Sequence, residues 1–329
     1  MNISAIVCTY NRCQSLAKAL ESIATSELPE SVEWEVLVVD NNSSDKTREV
    51  TEEFCSRHPG RFRYLFEARQ GKSFALNTGI KEARGDILAF VDDDVTVEPT
   101  WLWNLTSALR DSQWTGAGGR IFLEKNFSPP PWLALYGPYA MGGVLVLFDL
   151  GNRPGKLDES PYGTNMAFRK EIFEKYGGFR TDLGPRPGSE IRNEDTEFCR
   201  RIMNAGEQLR YEPYAVVYHS VPKNRVHKRY FLIWWFNYGR ALVLEFARKP
   251  DIFGIPRPYF NILMAGSRLV ITFAPRWILA LNPQRRFFYK VMVWRTAGEI
   301  VEFYRRALGK ETTSRQCLNQ VSKPVDSTR

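Results

Sequence analysis

Apolar and polar positions alternate in blocks through the first part of the chain. Residues 3–9 (Ile-Ser-Ala-Ile-Val-Cys-Thr) form a short β-branched run, and Tyr10-Asn11-Arg12 follows as a polar turn. Over residues 14–26, Leu16, Ala19, Leu20 and Ile23 recur at helical spacing. Residues 35–39 predict a second strand, which ends in the polar run Asp40-Asn41-Asn42-Ser43-Ser44-Asp45. A helix is predicted over 46–57 and a third short strand over 63–66. Gly71 opens a further helix over 72–84, Gly85 closes it, and 86–91 predict a fourth strand. This β-α-β-α-β-α-β order predicts an α/β fold: a right-handed, mostly parallel central sheet with helices on both faces.

The fourth strand changes the picture. Its apolar run, Ile87-Leu88-Ala89-Phe90-Val91, passes directly into Asp92-Asp93-Asp94. Three adjacent carboxylates repel one another unless a cation answers them. Carboxylates suit hard divalent cations such as Mg2+ and Mn2+. The carboxyl ends of parallel strands are also where open α/β sheets bind ligands. A solvated acidic turn is the plain alternative for a lone Asp-Asp-Asp, but polar residues recur at the other strand ends. Thr9, Asn11 and Arg12 follow strand one, Asp40 and Asn42 follow strand two, and Arg69 and Lys72 follow strand three. In a parallel sheet these ends converge on one cleft. Asp40 suits ribose hydroxyls or a base N–H, while Arg69 and Lys72 suit a diphosphate. Taken singly, Asp40 also fits an Asx-turn cap and Lys72 a solvated helix face. No GxGxxG follows the first strand. Gly71-Lys72-Ser73 supplies only the last letters of a P-loop.

Charge divides the chain. Residues 1–222 carry 25 Lys and Arg against 31 Asp and Glu, a net charge of −6, and residues 223–329 carry 20 against 6, a net of +14. A basic C-terminal part seeks phosphate, from nucleic acid or an anionic membrane face. No nucleic-acid-binding motif accompanies it. Its segments 229–248, 259–281 and 285–308 mix Trp, Tyr and Phe with Arg and Lys, as amphipathic helices at a membrane interface do. Packing on the N-terminal part or homo-oligomerisation is the alternative use of those apolar faces. The apolar run 259–281 is interrupted by Arg268, Pro275 and Arg276, which argues against a simple spanning helix. Five scattered cysteines without a CxxC pair and only three histidines give no zinc spacing. Reduced thiols in a cytosolic protein are expected, and the first residues do not read as a signal peptide.

At this point the ordered motifs resemble family 2 glycosyltransferases of the GT-A fold. They are Val7-Cys8-Thr9-Tyr10-Asn11-Arg12, Val38–Asp45, Leu76-Asn77-Thr78-Gly79-Ile80 and Val91-Asp92-Asp93-Asp94. Gly163-Thr164-Asn165-Met166-Ala167-Phe168-Arg169, Gly178-Phe179-Arg180 and the run from Asn193-Glu194-Asp195 to Arg201 complete them. The resemblance covers about residues 3–222 and implies an inverting, metal-dependent transfer from a nucleotide sugar. It implies that Thr9, Asp40 and Arg69 surround the nucleoside, with Asn11, Arg12, Asn42 and Lys72 in the same nucleotide site. Asp92 and Asp94 would be the outer residues of a DxD motif, contacting ribose and an Mn2+ or Mg2+ ion, and Asp93 would reach nucleotide or sugar. In Glu194-Asp195 the aspartate would be the general base, with Glu194 beside it. His219 would add a metal or diphosphate contact. The first acids of a helix also favour its dipole, so a helix starting at Glu194-Asp195 serves both readings.

The domain organisation expected from this is a catalytic domain over 1–222, with a nucleotide-sugar half (1–122) and an acceptor half (123–222). Basic, aromatic-rich helices follow over 223–310, and a disordered tail over 311–329. The Pro-, Gly- and aromatic-rich stretch after 122 is assigned to the acceptor through Trp132, together with Gly163, Asn165 and Arg169. Residues 181–192, rich in Gly and Pro, read as a loop that orders over bound donor. The expected partners are a nucleotide-sugar donor (a UDP-sugar by default, since Asp40 can accept from a uracil N–H), a saccharide or lipid-linked acceptor, and an anionic membrane surface at the cytoplasmic face, but no nucleic acid. A metal-dependent nucleotidyltransferase and a non-catalytic nucleotide-sugar-binding scaffold are the competing functions. The first has no need of Glu194-Asp195 beside an acceptor cleft, and the second has no need to keep clustered acids.

Overall fold

The computed structural model describes residues 2–188, 191–246 and 257–308. It divides into two compact units, Met1–Phe231 and Leu232–Arg329. In the first unit the elements run β1 (Asn2–Thr9), α1 (Cys13–Ala24), β2 (Glu33–Asp40), α2 (Thr47–Arg57), β3 (Phe62–Phe66), α3 (Lys72–Glu82) and β4 (Ile87–Asp92). They continue with β5 (Val95–Val97), α4 (Trp101–Ser107), β6 (Gly116–Leu123), β7 (Gly155–Lys156), β8 (Asn165–Arg169), α5 (Glu171–Tyr176), α6 (Glu194–Asn204) and β9 (Leu209–His219). The nine strands form one sheet in the order β3-β2-β1-β4-β8-β6-β9-β5, with β7 paired to β9.

Strands β1 to β4 pair in parallel. The interiors of β1, β2 and β4 are buried on both faces, which is why they read as unbroken apolar runs. Register brings their carboxyl ends level: Thr9 lies beside Asp40, Asp40 beside Phe66, and Cys8 beside Asp92. Strand β8 then enters antiparallel to β4, pairing Val91 with Asn165 and Ile87 with Arg169. The expected helix face Leu16, Ala19, Leu20 and Ile23 is wholly buried. A phenylalanine cluster lies beneath the site. Phe90 of β4 meets Phe179 edge-on with ring centroids 5.6 Å apart, and Phe173 of α5 stacks on Phe198 of α6 at 4.7 Å. Aromatic pairs at such distances add to the area they bury. They fix the strand that ends in the acids against the helix that begins with Glu194-Asp195.

The helix α7 (Lys228–Phe246) runs on into the second unit, followed there by α8 (Arg257–Ser267), a π-helical segment (Arg268–Phe273), α9 (Ala274–Leu279) and α10 (Pro283–Ala307). Asn282 caps α10 by accepting from the Arg285 N–H at 3.0 Å, and Pro283 takes a first-turn place where no donor is needed. Two glycines let α7 and α10 touch backbone to backbone. A β-carbon on Gly298 would stand 2.0 Å from the Phe236 carbonyl oxygen, and one on Gly239 would stand 2.0 Å from that of Arg295.

The interruptions seen at Arg268, Pro275 and Arg276 do not break the helix. The π segment absorbs the first, and Pro275 falls in the first turn of α9. Tyr259–Leu279 is therefore one helical stretch of 21 residues, long and apolar enough to cross a membrane by length and composition. The expected tail, 311–329, lies outside the described residues.

Candidate active site

The three strand-end acids meet counter-charges supplied by the chain itself. Lys72, at the start of α3, donates to Asp92 Oδ1 at 2.7 Å, and Thr164 donates to Asp92 Oδ2 at 2.6 Å. Arg12 donates to Asp93 Oδ1 at 2.9 Å and to Asp94 Oδ2 at 3.0 Å. The Thr9 hydroxyl donates to Asp93 Oδ2 at 2.7 Å. Arg225 stands 3.5 Å from Asp94 Oδ2, and His219 Nε2 stands 3.5 Å from Asp94 Oδ1.

These pairings decide the protonation of the acids. Burial pushes Asp93 up to about 6 despite Arg12. Burial works the same way on Asp94, but His219, Arg12 and Arg225 overcome it and hold that carboxyl well below the usual range. Lys72 likewise outweighs burial at Asp92 and keeps it ionised.

Asp40 is buried at the end of β2. Its Oδ1 accepts from the Ser43 N–H and its Oδ2 from the Tyr64 hydroxyl, each at 2.9 Å. One residue therefore closes the local Asx-type turn and ties it to Tyr64 of β3. Arg69 is held by Glu67 through two parallel bonds, Nε to Oε1 at 2.9 Å and Nη2 to Oε2 at 2.8 Å. Those bonds, with a Thr78 hydroxyl, bring Glu67 down to about 2. Asn11 and Asn42 both sit at positive φ, 52° and 65°. Asn11 Oδ1 accepts from the Ser44 N–H at 2.7 Å and its own N–H donates to Ser43 Oγ at 2.9 Å. These two asparagines shape the turns after β1 and β2.

At the other side of the cluster, Asp195 opens α6. Its Oδ2 accepts from the Gly163 N–H at 2.7 Å and its Oδ1 from the Thr196 N–H at 2.7 Å. A β-carbon on Gly163 would come within 3.1 Å of Asp195 Oδ2, so glycine allows this approach. Oδ1 also accepts from the Thr196 hydroxyl at 3.3 Å, so it is Oδ2 that keeps a second lone pair for an incoming hydroxyl. Glu194 is buried, 3.9 Å from Lys72. Burial first and Asp195 next push it up to about 7, which suits it to holding a proton rather than removing one.

The loop ahead of α6 is fastened to α3 in its described part, 181–188. Ser73 Oγ donates to the Leu183 carbonyl at 2.8 Å and the Lys72 N–H to that of Pro185 at 3.0 Å. Residues 189 and 190 lie outside the described residues.

Of the residues assigned to the acceptor, Asn165 lies near the acids but turns its side chain into the fold, and Arg169 lies at the far end of its strand. The Asn165 side chain is fully buried and its hydrogen bonds are internal: Oδ1 accepts from Trp101 Nε1 at 2.8 Å, and Nδ2 donates to the carbonyls of Arg120 (3.0 Å) and Ala215 (2.8 Å). Arg169 pairs with Ile87, at the start of β4, because β8 runs antiparallel. It is thus roughly 15 Å along the strand from Asp92, by the usual rise per residue. Its guanidinium donates to the carbonyls of Leu109, Asp111 and Trp114. Trp132 packs edge-on against Phe231 with ring centroids 5.1 Å apart. Sequence reasoning missed Thr164, Arg225, Tyr64 and Glu67. Thr164 and Arg225 carried a signal, since one lies inside the Gly163 motif and the other six residues beyond His219.

Among the described residues no three His, Cys, Asp or Glu side chains converge as a complete metal cage. The pair Asp94 and His219 nevertheless fits a divalent ion that also takes phosphate oxygens, as Mg2+ and Mn2+ do. His219 is buried, and its Nδ1 has no hydrogen-bond partner.

Comparison with known proteins follows the same residues. Positions 4–177 match the family described as glycosyl transferase family 2. The succinoglycan biosynthesis protein ExoM of Rhizobium meliloti is 28% identical over 269 residues, 82% of this chain and 82% of that protein. The glucosyl-dolichyl phosphate glucuronosyltransferase of Haloferax volcanii is 25% identical over 254 residues, 74% of this chain and 77% of that protein. Among solved structures, the mannosyltransferase PcManGT from Pyrobaculum calidifontis, in complex with GDP-Man and Mn2+, aligns with a TM-score of 0.59 at 22% identity, covering 94% of this chain and 88% of that one. S. aureus TarS in complex with UDP-GlcNAc aligns with a TM-score of 0.51 at 15% identity, covering 94% of this chain and 92% of that one. These two likenesses show that the GT-A fold is shared.

Proposed function

Because the chain belongs to glycosyl transferase family 2, we propose that it is an inverting, metal-dependent glycosyltransferase that uses a UDP-sugar. The observation that carries this reading is the convergence of two acid groups of different environment. Asp92-Asp93-Asp94 is surrounded by Lys72, Arg12, Arg225 and His219, while Asp195 is held by backbone N–H groups with no cation paired to it among the described ion pairs.

Lys72, Arg12 and Arg225 are the cations that turn toward a diphosphate as it enters. Asp94 and His219, with Asp92 beside them, would hold Mn2+ or Mg2+, and that ion when bound offsets charge building on the leaving diphosphate. Asp195 takes the proton of the acceptor hydroxyl as its oxygen bonds to the anomeric carbon and the bond to the diphosphate oxygen breaks. Attack from the face opposite the leaving group inverts the anomeric centre. The Gly163 and Thr196 N–H groups aim the carboxylate and leave a lone pair on Oδ2 for this transfer.

The uracil preference rests on Asp40, whose oxygens retain lone pairs for a base N–H after the Ser43 and Tyr64 bonds. The acceptor is read as a saccharide or lipid-linked hydroxyl in polysaccharide or glycolipid synthesis at the cytoplasmic face of the membrane. The likeness to a succinoglycan biosynthesis protein and to an enzyme acting on a dolichyl phosphate sugar supports this. A panel of nucleotide sugars with Mn2+ or Mg2+, read by release of nucleoside diphosphate, tests the reading. Asp195→Asn is expected to abolish transfer while nucleotide binding survives. Loss of both together would remove Asp195 from the role of base.

A further inference from the structure

The second unit presents an apolar surface that the described residues leave uncovered. Along Tyr259–Leu279 and the turn after it, Leu263 is 69% exposed, Ile271 74%, Leu279 77% and Leu281 97%. Val270 and Ile278 are also mostly exposed. A soluble protein seldom leaves so many large aliphatic side chains contiguous in water.

The opposite side of this helix is covered along its length by α10. Arg268 meets Glu299 at 2.5 Å, and Trp277 meets Trp294 edge-on at 6.3 Å. Position rises on one helix as it falls on the other, so the two form an antiparallel hairpin. α10 carries Arg285, Arg286, Lys290, Arg295, Arg305 and Arg306. A helix so charged stays out of hydrocarbon, so the apolar stretch beside it cannot cross a bilayer alone while the hairpin holds.

Charge selects the surface that this face meets. Residues 257–308 contain nine Lys and Arg and only two acids, Glu299 and Glu302. Both acids are buried and taken up internally: Glu299 pairs with Arg268 and Arg295, and Glu302 with Arg240 of α7. The charge left facing outward is therefore wholly positive. Lys290 stands over the rings of Trp277 and Trp294, 5.5 Å from each centroid, at the end of the hairpin where Leu281 is exposed. Indoles beside basic groups at the edge of an aliphatic stripe are the composition of an interfacial helix.

We propose that the exposed face of Tyr259–Leu281 lies in the plane of an anionic lipid surface, its aliphatic side chains in the acyl boundary and the arginines and Lys290 among the headgroups. This inference stands on the second unit alone and does not depend on the chemistry assigned to the first. Flotation of the full chain with phosphatidylcholine vesicles, with and without phosphatidylglycerol, tests it. The wild type is expected to float with the anionic vesicles, and to be released by raised salt.

Ile271→Glu with Ile278→Glu is expected to lower the bound fraction at least tenfold. Both positions are exposed, so folding is checked by an unchanged melting curve, and nucleoside diphosphate release with a soluble acceptor is expected to stay at wild-type level. Equal flotation of the double variant would overturn the proposal. So would wild-type chain that stays unbound and sediments as a dimer which the same substitutions dissociate, since that assigns the face to a second copy. Failure of the donor panel would leave the flotation result untouched, and the reverse holds.

Discussion

Asn165 sits inside a motif that reads as a sugar contact, yet its side chain is spent on the fold, and a substitution separates the two roles. Asn165→Ala removes three hydrogen bonds at once. It leaves Trp101 Nε1 and the carbonyls of Arg120 and Ala215 without this partner in a region where Trp101 and Ala215 are fully buried. An orphaned buried polar group costs about 1–3 kcal/mol, so the three together cost about 3–9 kcal/mol. For a unit of this size each kcal/mol moves the midpoint by about 2–4 °C, which puts the expected drop on the order of 10 °C. Asn165→Asp keeps an acceptor for Trp101 but sets a carboxylate against two carbonyl oxygens, and is expected to be at least as damaging. Thermal melting followed by circular dichroism gives the stability, and initial rates well below the midpoint give KM for donor and acceptor. The expected pattern is a large fall in midpoint with KM values near wild type. A wild-type midpoint with a KM raised tenfold or more would refute the structural account and return Asn165 to the sugar.

Other expectations follow from the same geometry. Glu194 is raised from an ordinary 4.5 to about 7 in the folded chain, so between those values the folded form holds a proton that the unfolded form has lost. Stability is therefore fully present below about 4.5 and falls as pH rises through about 7, by about 3 kcal/mol from this group. Melting curves across that window should show the decline, and Glu194→Gln should flatten it; an identical slope in the variant would refute the assignment. Gly298→Ala drives a methyl group into the Phe236 carbonyl and is expected to destabilise the helical unit by about 1–3 kcal/mol, read as a lower midpoint for protease cleavage within it.

What the sequence made legible was the part governed by local pattern. β1, β2 and β4 stand within a residue or two of their expected bounds, because a strand buried on both faces has to be apolar throughout. The convergence of Thr9, Asp40 and Asp92 followed from parallel pairing alone. Pairing direction further along the chain was not legible. Asn165 and Arg169 sit at the two ends of one strand, and only the antiparallel entry of β8 decides that Asn165 falls near the acids while Arg169 falls at the far edge. Parallel pairing also brought Arg12 and Lys72 to the acids' cleft, but the further counter-charge from Arg225 was hidden, since it is separated from Asp94 by 131 positions. Spacing in sequence cannot show that a basic side chain will reach so far. That 259–281 is helical was legible from its pattern, whereas the answer of Glu299 to the charge of Arg268 was not.

The balance around Asp92-Asp93-Asp94 has a consequence for how a donor gains its place. Three acids stand against Lys72, Arg12 and Arg225, so the strand end offers little net field to attract either a lone cation or a lone diphosphate. On the function proposed above, entry would amount to ion exchange: the diphosphate would draw off the guanidinium groups while its accompanying cation took over the carboxylate they leave. Neither half of that exchange would proceed readily without the other. A cleft so balanced would discriminate for the metal–nucleotide pair as a unit, and free phosphate or free metal would gain little from it.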